Sequence, residues 1–290
     1  RKREVVKMTI PILLAATERS FWEWVVFLVQ HNGMDFVKGA GITLLMAAVG
    51  TLIGCIIGFL VGIVQTIPIE QHDNLVKKTV LKIVRALMTA YIEIFRGTPM
   101  IVQAMVIYYG SLYVFGIDMT PMTAGFVIVS INTGAYMAES VRGGIDSIDI
   151  GQTEAAKAIG MTHFQTMLSV ILPQALRNIL PQIGNNLIIN IKDTAVLNVI
   201  GLNELFFATK SLVGAYYQPF PGYIIACVVY FIMTFTCSRI LRWYERKIDG
   251  PDSYTLAGTD HKGAPVKKRP AGMTMQLMNG TYHKQRSAMR

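Results

Sequence analysis

Residues able to do chemistry are few in this chain, and most stand in or beside apolar stretches. Three acids, Glu93, Glu139 and Asp193, lie within or at the edge of long hydrophobic runs. An acid in such surroundings binds a cation, takes up a proton or pairs with a basic side chain. Arg96 follows Glu93 by three residues, and Arg142 follows Glu139 by three, so each pair can meet on one helix face. Pairing with Arg96 is the expected role of Glu93, ligand binding being the alternative, and Asp193 has Lys192 beside it. Asn185, Asn186 and Asn190 put polar groups on another apolar segment. Asn186 and Asn190 are one turn apart and either line a polar path or bond neighbouring helices.

No set of residues forms an enzyme site. The sequence holds no GxxxxGK[ST], HExxH or GxSxG, and no Cys/His spacing suited to zinc. His31, His72 and His163 are far apart, and Cys55, Cys227 and Cys237 lie in apolar stretches without a CxxC. The expectation is a chain that is not an enzyme and binds no cofactor or metal.

One further segment has the chemistry of a docking surface. Gly151 to Pro173 reads GQTEAAKAIGMTHFQTMLSVILP between long apolar stretches. Glu154-Ala155-Ala156 is expected to open a helix, because alanine is the best helix former and an acid suits the helix N-terminus. Gly160 can take a turn or a positive φ. Phe164, Met167, Leu168 and Ile171 recur at helical spacing, and Pro173 stands where the next helix starts or bends.

The elements that carry these residues belong to a membrane. The 290 residues are 52% hydrophobic and 16% charged, with a net charge of +9. Ordinary soluble domains carry roughly a quarter charged residues. No charge occurs from Gly39 to Ile69, where Gly50, Gly54, Gly58 and Gly62 recur on one helix face and permit close approach of another helix. Further spans are expected over Ala86 to Gly110, Met122 to Ala138, Gln174 to Ile200 and Gly222 to Ser238. In the fourth, the uncharged run stops at Ile191, so the span must include Lys192 and Asp193, about 20 Å from its inner end. The reading is an all-α polytopic membrane protein of about five transmembrane helices.

Charge orients it. Segments 70–85, 139–177 and 239–290 hold 4, 3 and 11 Lys/Arg, whereas 110–121 and 203–222 hold 0 and 1. By the positive-inside rule the first three face the cytoplasm. Residues 1–38, with 6 Lys/Arg, read as an N-terminal interfacial helix with Trp22 and Trp24 at headgroup level, an extra span being the alternative. Arg1, Lys2, Arg3 and Lys7 before Met8 to Ala16 also mimic a signal-sequence start. The membrane domain covers 39–248. Residues 249–290 read as a polar, basic, disordered tail on the cytoplasmic side. That tail carries most of the positive excess and points to a membrane face rather than to nucleic acid.

The pattern Glu-Ala-Ala, three residues, Gly, nine residues, an aliphatic, one residue, Leu-Pro resembles the EAA loop of bacterial ABC importer permeases. Val170 stands where that family usually has Ile. Tyr91 to Gln103, Gly134 to Ile145 and Ile191 to Leu205 are similar to the polar amino acid uptake branch, with its Glu-x-x-Arg-Gly-Thr-Pro, Ala-Tyr-x-Ala-Glu-x-x-Arg-Gly-Gly and Lys-Asp-Thr runs. The resemblance implies a type I importer fold in the bacterial inner membrane and inward movement of a polar amino acid by alternating access. It implies a separate dimeric ATPase that carries ATP and Mg, a second permease chain, identical or related, and an external binding protein. It places Glu154, Ala155, Ala156 and Gly160 in the coupling helix that docks on the ATPase. Asn185, Asn186, Asn190, Asp193 and Glu93 are candidates for the substrate path. The rival readings are an ion-coupled secondary transporter, which leaves the EAA spacing unexplained, and a membrane scaffold that only anchors partners.

Overall fold

The computed structural model describes residues 19–69 and 74–249. Residues 1–18, 70–73, including His72, and the tail 250–290 lie outside the described residues. All secondary structure among the described residues is helical. In chain order the elements are α1 (Phe21–Thr66), α2 (Leu75–Gly97), α3 (Met100–Phe115), α4 (Pro121–Asp146), α5 (Ile150–Ala158) and α6 (His163–Thr166). A π-helical turn (Met167–Ile171), α7 (Leu172–Asp193), a 3-10 helix (Thr194–Ile200), α8 (Leu205–Tyr216) and α9 (Pro219–Asp249) follow.

The interface between α1 and α4 is the largest in the fold. It rests on the glycines at four-residue spacing. A Cβ at Gly50 would stand 2.3 Å from Val129, one at Gly54 2.6 Å from Thr133, and one at Gly58 2.3 Å from Met137. At Gly62 it would meet the Ala138 carbonyl oxygen at 2.8 Å. None of these positions has room for a side chain, so the two backbones pack directly. α4 answers with small residues: Ala124, Gly125, Ser130, Gly134, Ala135, Ala138 and Gly144 are all buried.

α1 starts at a capping box between Ser20 and Glu23 and runs 46 residues without interruption. No helix break falls between residues 38 and 39. Asp35 and Lys38 break the hydropathy of the segment but not its helical geometry. Trp24, Leu28 and Phe36 are buried, with Leu28 and Phe36 in a cluster that includes Leu205, Leu212 and Ile225, while Trp22 is exposed.

The segment expected to span the membrane from Ala86 to Gly110 is not one helix. It bends by 114° between α2 and α3. Proline lacks the N–H that an unbroken helix needs, and the residue before it prefers extended backbone. Thr98 is extended accordingly, and Pro99 caps α3. Two side chains satisfy the carbonyls left open at the corner. Gln103 Nε2 donates to the Phe95 carbonyl at 2.9 Å and the Thr98 carbonyl at 2.9 Å, and Asn132 Nδ2 of α4 donates to Gln103 Oε1 at 2.9 Å. A second bent pair, from α6 through the 3-10 helix into α8, turns by 54°.

Two helices, α1 and α9, are long and apolar enough to cross a membrane alone, and the two bent pairs raise the number to four. α4, with 26 residues, reaches about 39 Å at 1.5 Å per residue and exceeds the roughly 30 Å hydrocarbon core. Its apolar character is diluted by Asn132, Thr133 and Glu139, and the first two are buried against neighbouring helices.

Inserting side chains into the glycine stripe should loosen the bundle. Gly58→Leu is expected to cost at least 1–3 kcal/mol, the usual range for overpacking, and to lower the temperature at which the detergent-solubilised protein stops eluting as a single peak. Gly41→Leu, where a Cβ meets nothing within 4 Å, should leave that temperature unchanged.

Candidate functional site

The Glu-Ala-Ala segment forms α5, a nine-residue helix that starts earlier than expected, at Ile150. Asp149 is its N-cap, and Asp149 Oδ1 accepts from the Gly151 N–H at 2.7 Å. Glu154 therefore stands in mid-helix rather than in the first turn. Gly160 ends the helix at φ +84°. Its N–H bonds the Lys157 carbonyl at 2.9 Å, and the Met161 N–H reaches the Ala156 carbonyl at 3.0 Å. This left-handed C-terminal cap needs glycine or, less often, asparagine. Thr162 and Gln165 then form a capping box that restarts the chain as α6.

α5 has two faces. Ala156 is buried, and α5 rests on the π-helical turn. Glu154, Ala155, Lys157, Ala158 and Gly160 are exposed. Ile150, Ile159 and Phe164 present apolar surface beside them, with Ile159 79% exposed. An exposed isoleucine next to small residues and an acid with no ion pair among the described residues is suited to a protein partner.

The strand of helix below α5 is set by Pro173. Without an N–H it breaks the regular ladder, and the preceding π turn takes up the change. Gln174 Nε2 covers the Val170 carbonyl at 2.8 Å. The turn carries Ile171 into a buried cluster with Val141, Ala175 and Ile179.

The five expected path residues do not converge. Asn185 is exposed. Asn186 Nδ2 donates to Met137 Sδ at 3.3 Å and to the Gln182 carbonyl at 2.9 Å. Asn190 Nδ2 donates to Thr51 Oγ1 at 2.7 Å and Thr133 Oγ1 at 2.9 Å. Asn186 and Asn190 thus join α7 to α4 and α1. Asp193 is half-buried at the last position of α7. Glu93 is exposed and makes no ion pair among the described residues.

The expected Glu93–Arg96 pair is replaced by one between helices. Arg96 of α2 pairs with Glu139 of α4. Glu139 also faces Arg142 at 3.8 Å, and Arg142 reaches Asp146 at 3.2 Å. The Arg96 guanidinium lies 5.4 Å from the Tyr136 ring centre. Arg96 and Glu139 line two open cavities. One, of about 410 Å³, adds Gln65, Arg85, Thr89 and Glu93. The other, of about 430 Å³, adds Tyr136, Ser140, Asn178 and Gln182.

Sequence reasoning missed three features here. The partner of Arg96 lies 43 positions away, beyond any local spacing rule. Gln103 and Asn132 gave no signal apart from being polar in apolar runs. Glu204, wholly buried, caps α8 by accepting from the Phe206 and Phe207 N–H groups at 2.8 and 2.7 Å and from Tyr230 Oη at 2.9 Å.

Long apolar helices, two bent spans of which one breaks at Pro99, polar cross-links inside the bundle and one exposed capped helix are the features of a multi-pass membrane permease. The matched family is the binding-protein-dependent transport system inner membrane component, over residues 79–250. The chain belongs to this family and is a multi-pass protein of the inner membrane. It is similar to the glutamine transport system permease protein GlnP of Escherichia coli, with 37% identity over 215 residues, 73% of this chain and 92% of the relative. It is also similar to the arginine transport system permease protein ArtQ of Bacillus subtilis, at 32% over 216 residues, 74% of this chain and 93% of the relative. Among solved structures it resembles an amino acid ABC transporter crystallised with histidines. That match has a TM-score of 0.68 and 36% identity, and covers 77% of this chain and 97% of the other.

The interhelical pair gives a direct check. Arg96→Glu and Glu139→Arg alone should each reduce uptake at least about tenfold, since each leaves like charges facing within the bundle. The double exchange should recover a measurable part of that loss, read as initial uptake in vesicles.

Proposed function

We propose that this chain moves a polar amino acid inward as the permease subunit of an ATP-driven importer, with α5 as the mechanical link to a separate ATPase. The observation that carries the reading is the form of α5. It is a rigid, capped helix seated by Ala156 and closed by Gly160 at positive φ, with Glu154, Ala155 and Ile159 turned outward. Small residues allow close approach of a partner, and Glu154 can meet a basic side chain there.

The division of labour follows. ATP and Mg are held by the partner, and this chain performs no hydrolysis. An external binding protein delivers the solute. A second permease chain completes the path. α2 supports this last point, because it buries only Ile92 while Leu87 and Ile94 stay exposed. Closure of the ATPase pair moves α5, and the bundle follows as a rigid body.

The substrate class rests on the relatives, whose names include glutamine and arginine systems. The cavities around Arg96 and Glu139 can meet both charges of a zwitterion, with Glu93 at the edge of one and Gln182 in the other. Within this reading Asn185 faces the path, while Asn186, Asn190 and Asp193 shape it from behind. The basic tail after residue 249 lies on the cytoplasmic side.

Two substitutions test the link. Gly160→Pro cannot adopt φ +84°, and Glu154→Lys reverses the charge offered to the partner. Both are expected to abolish binding-protein-dependent uptake and to reduce co-purified ATPase while the chain still inserts. Normal uptake in both would sink the assignment of α5.

A further inference from the structure

Behind α5 lies a cleft of about 580 Å³, enclosed by the C-terminal end of α1 and by α2, α4, α5 and α6. Among the described residues its lining carries the cations Arg85, Arg142 and Lys157, with His163 beside them and one acid, Asp146. Arg142 is already shared between Glu139 at 3.8 Å and Asp146 at 3.2 Å. Arg85 and Lys157 form no ion pair among the described residues. Arg85 Nε is buried and has no hydrogen-bond partner among the described residues. An unmet buried donor on a full charge is destabilising unless a ligand or water meets it.

A basic membrane flank is no explanation of this arrangement. Lys77 and Lys82 of α2 are exposed, as residues facing headgroups should be. Arg85, one turn further on, is half-buried and turned into the cleft. The cleft falls within the size range of small-molecule sites, and its cations come from separate helices. A phosphate group, with three acceptor oxygens, can meet donors from several directions, and arginine favours it.

We propose that this cleft binds a phosphate-bearing anion, held chiefly by Arg85 and Lys157, which clamps α5 to the bundle. The anion is either the headgroup of an anionic phospholipid or a free phosphate compound. Binding itself is independent of the coupling role of α5. The effect on ATPase activity rests on that role, because the anion stiffens the joint through which motion would pass.

The test uses the whole complex, with its ATPase, in nanodiscs of phosphatidylcholine. In one arm phosphatidylglycerol is mixed in and retained lipid is counted by native mass spectrometry. In the other, inorganic phosphate is titrated without nucleotide and the thermal midpoint is followed. The expected result is binding in the wild type and in Lys82→Gln, lost in Arg85→Gln and Lys157→Gln and kept in Arg85→Lys. Substrate-stimulated ATPase activity with phosphatidylglycerol should rise roughly fivefold, within the usual range of coupling between sites. Retention of phosphatidylglycerol with no response to phosphate identifies the lipid headgroup, and the reverse identifies a free anion. Binding that depends on Arg85 and Lys157 without any change in ATPase rate upholds the site and counts against α5 as the coupling helix. Absence of binding in both arms, or equal binding by the wild type and both glutamine variants, overturns the proposal.

Discussion

Close contact between α1 and α4 is the constraint on which the other elements depend. Membrane helices gain little from hydrophobic burial against each other, because lipid is as apolar as leucine. Association must come from packing and from polar bonds. The glycines at four-residue spacing supply the first by leaving no side chain on α1 where α4 comes closest. The second is built on the pair so formed. Asn190 of α7 bonds Thr51 of α1 and Thr133 of α4 at once, so α7 can dock only where the two helices are already in register. Tyr91 of α2 reaches the Ile131 carbonyl of α4 at 2.6 Å, in the space kept open by Gly134.

From that frame the functional surfaces follow. The corner between α2 and α3 needs Pro99 to break the helix and Gln103 with Asn132 to satisfy what the break exposes. It sets Arg96, one turn before the corner, against Glu139. The same α4 carries Glu139 to the cavities and, after Asp149 restarts the helix, holds α5 beyond its end. Motion of α5 would thus pass into α4 through a short connection. Ala156 and the π turn seat α5 from the other side. A polar interior between rigid helices and a capped, exposed helix at one end are the two parts an externally driven permease requires.

Much of this was legible in the sequence, and what was not has physical causes. The glycine stripe announced itself because a helical repeat and a small residue coincide. Gly160 was readable because a helix that must stop before a second helix starts commonly ends in positive φ. The spacing to Pro173 identified the segment as a unit. By contrast, Asp35 and Lys38 imitate a boundary, because a hydropathy reading cannot tell a helix that ends from a helix that leaves the apolar zone. The bend at Pro99 was obscured by the apolar residues on both sides. Arg96 was assigned the nearest acid, whereas its partner is chosen by a helix crossing that no local rule encodes. Asn186 and Asn190 face the interior, whereas Asn185 is exposed, and only their neighbours in space show that Asn186 and Asn190 are occupied by packing.

The most direct test of the central claim, that α5 offers one face to an ATPase and the other to its own bundle, is site-specific photo-crosslinking in native membranes. A photoreactive amino acid is placed at Ala155 in one variant and at Ala156 in another, and the products are identified by mass spectrometry. The account predicts that position 155 captures a chain bearing a nucleotide-binding P-loop, while position 156 yields only crosslinks within this chain. Capture of no P-loop protein at position 155, or equal capture from both positions, would contradict it.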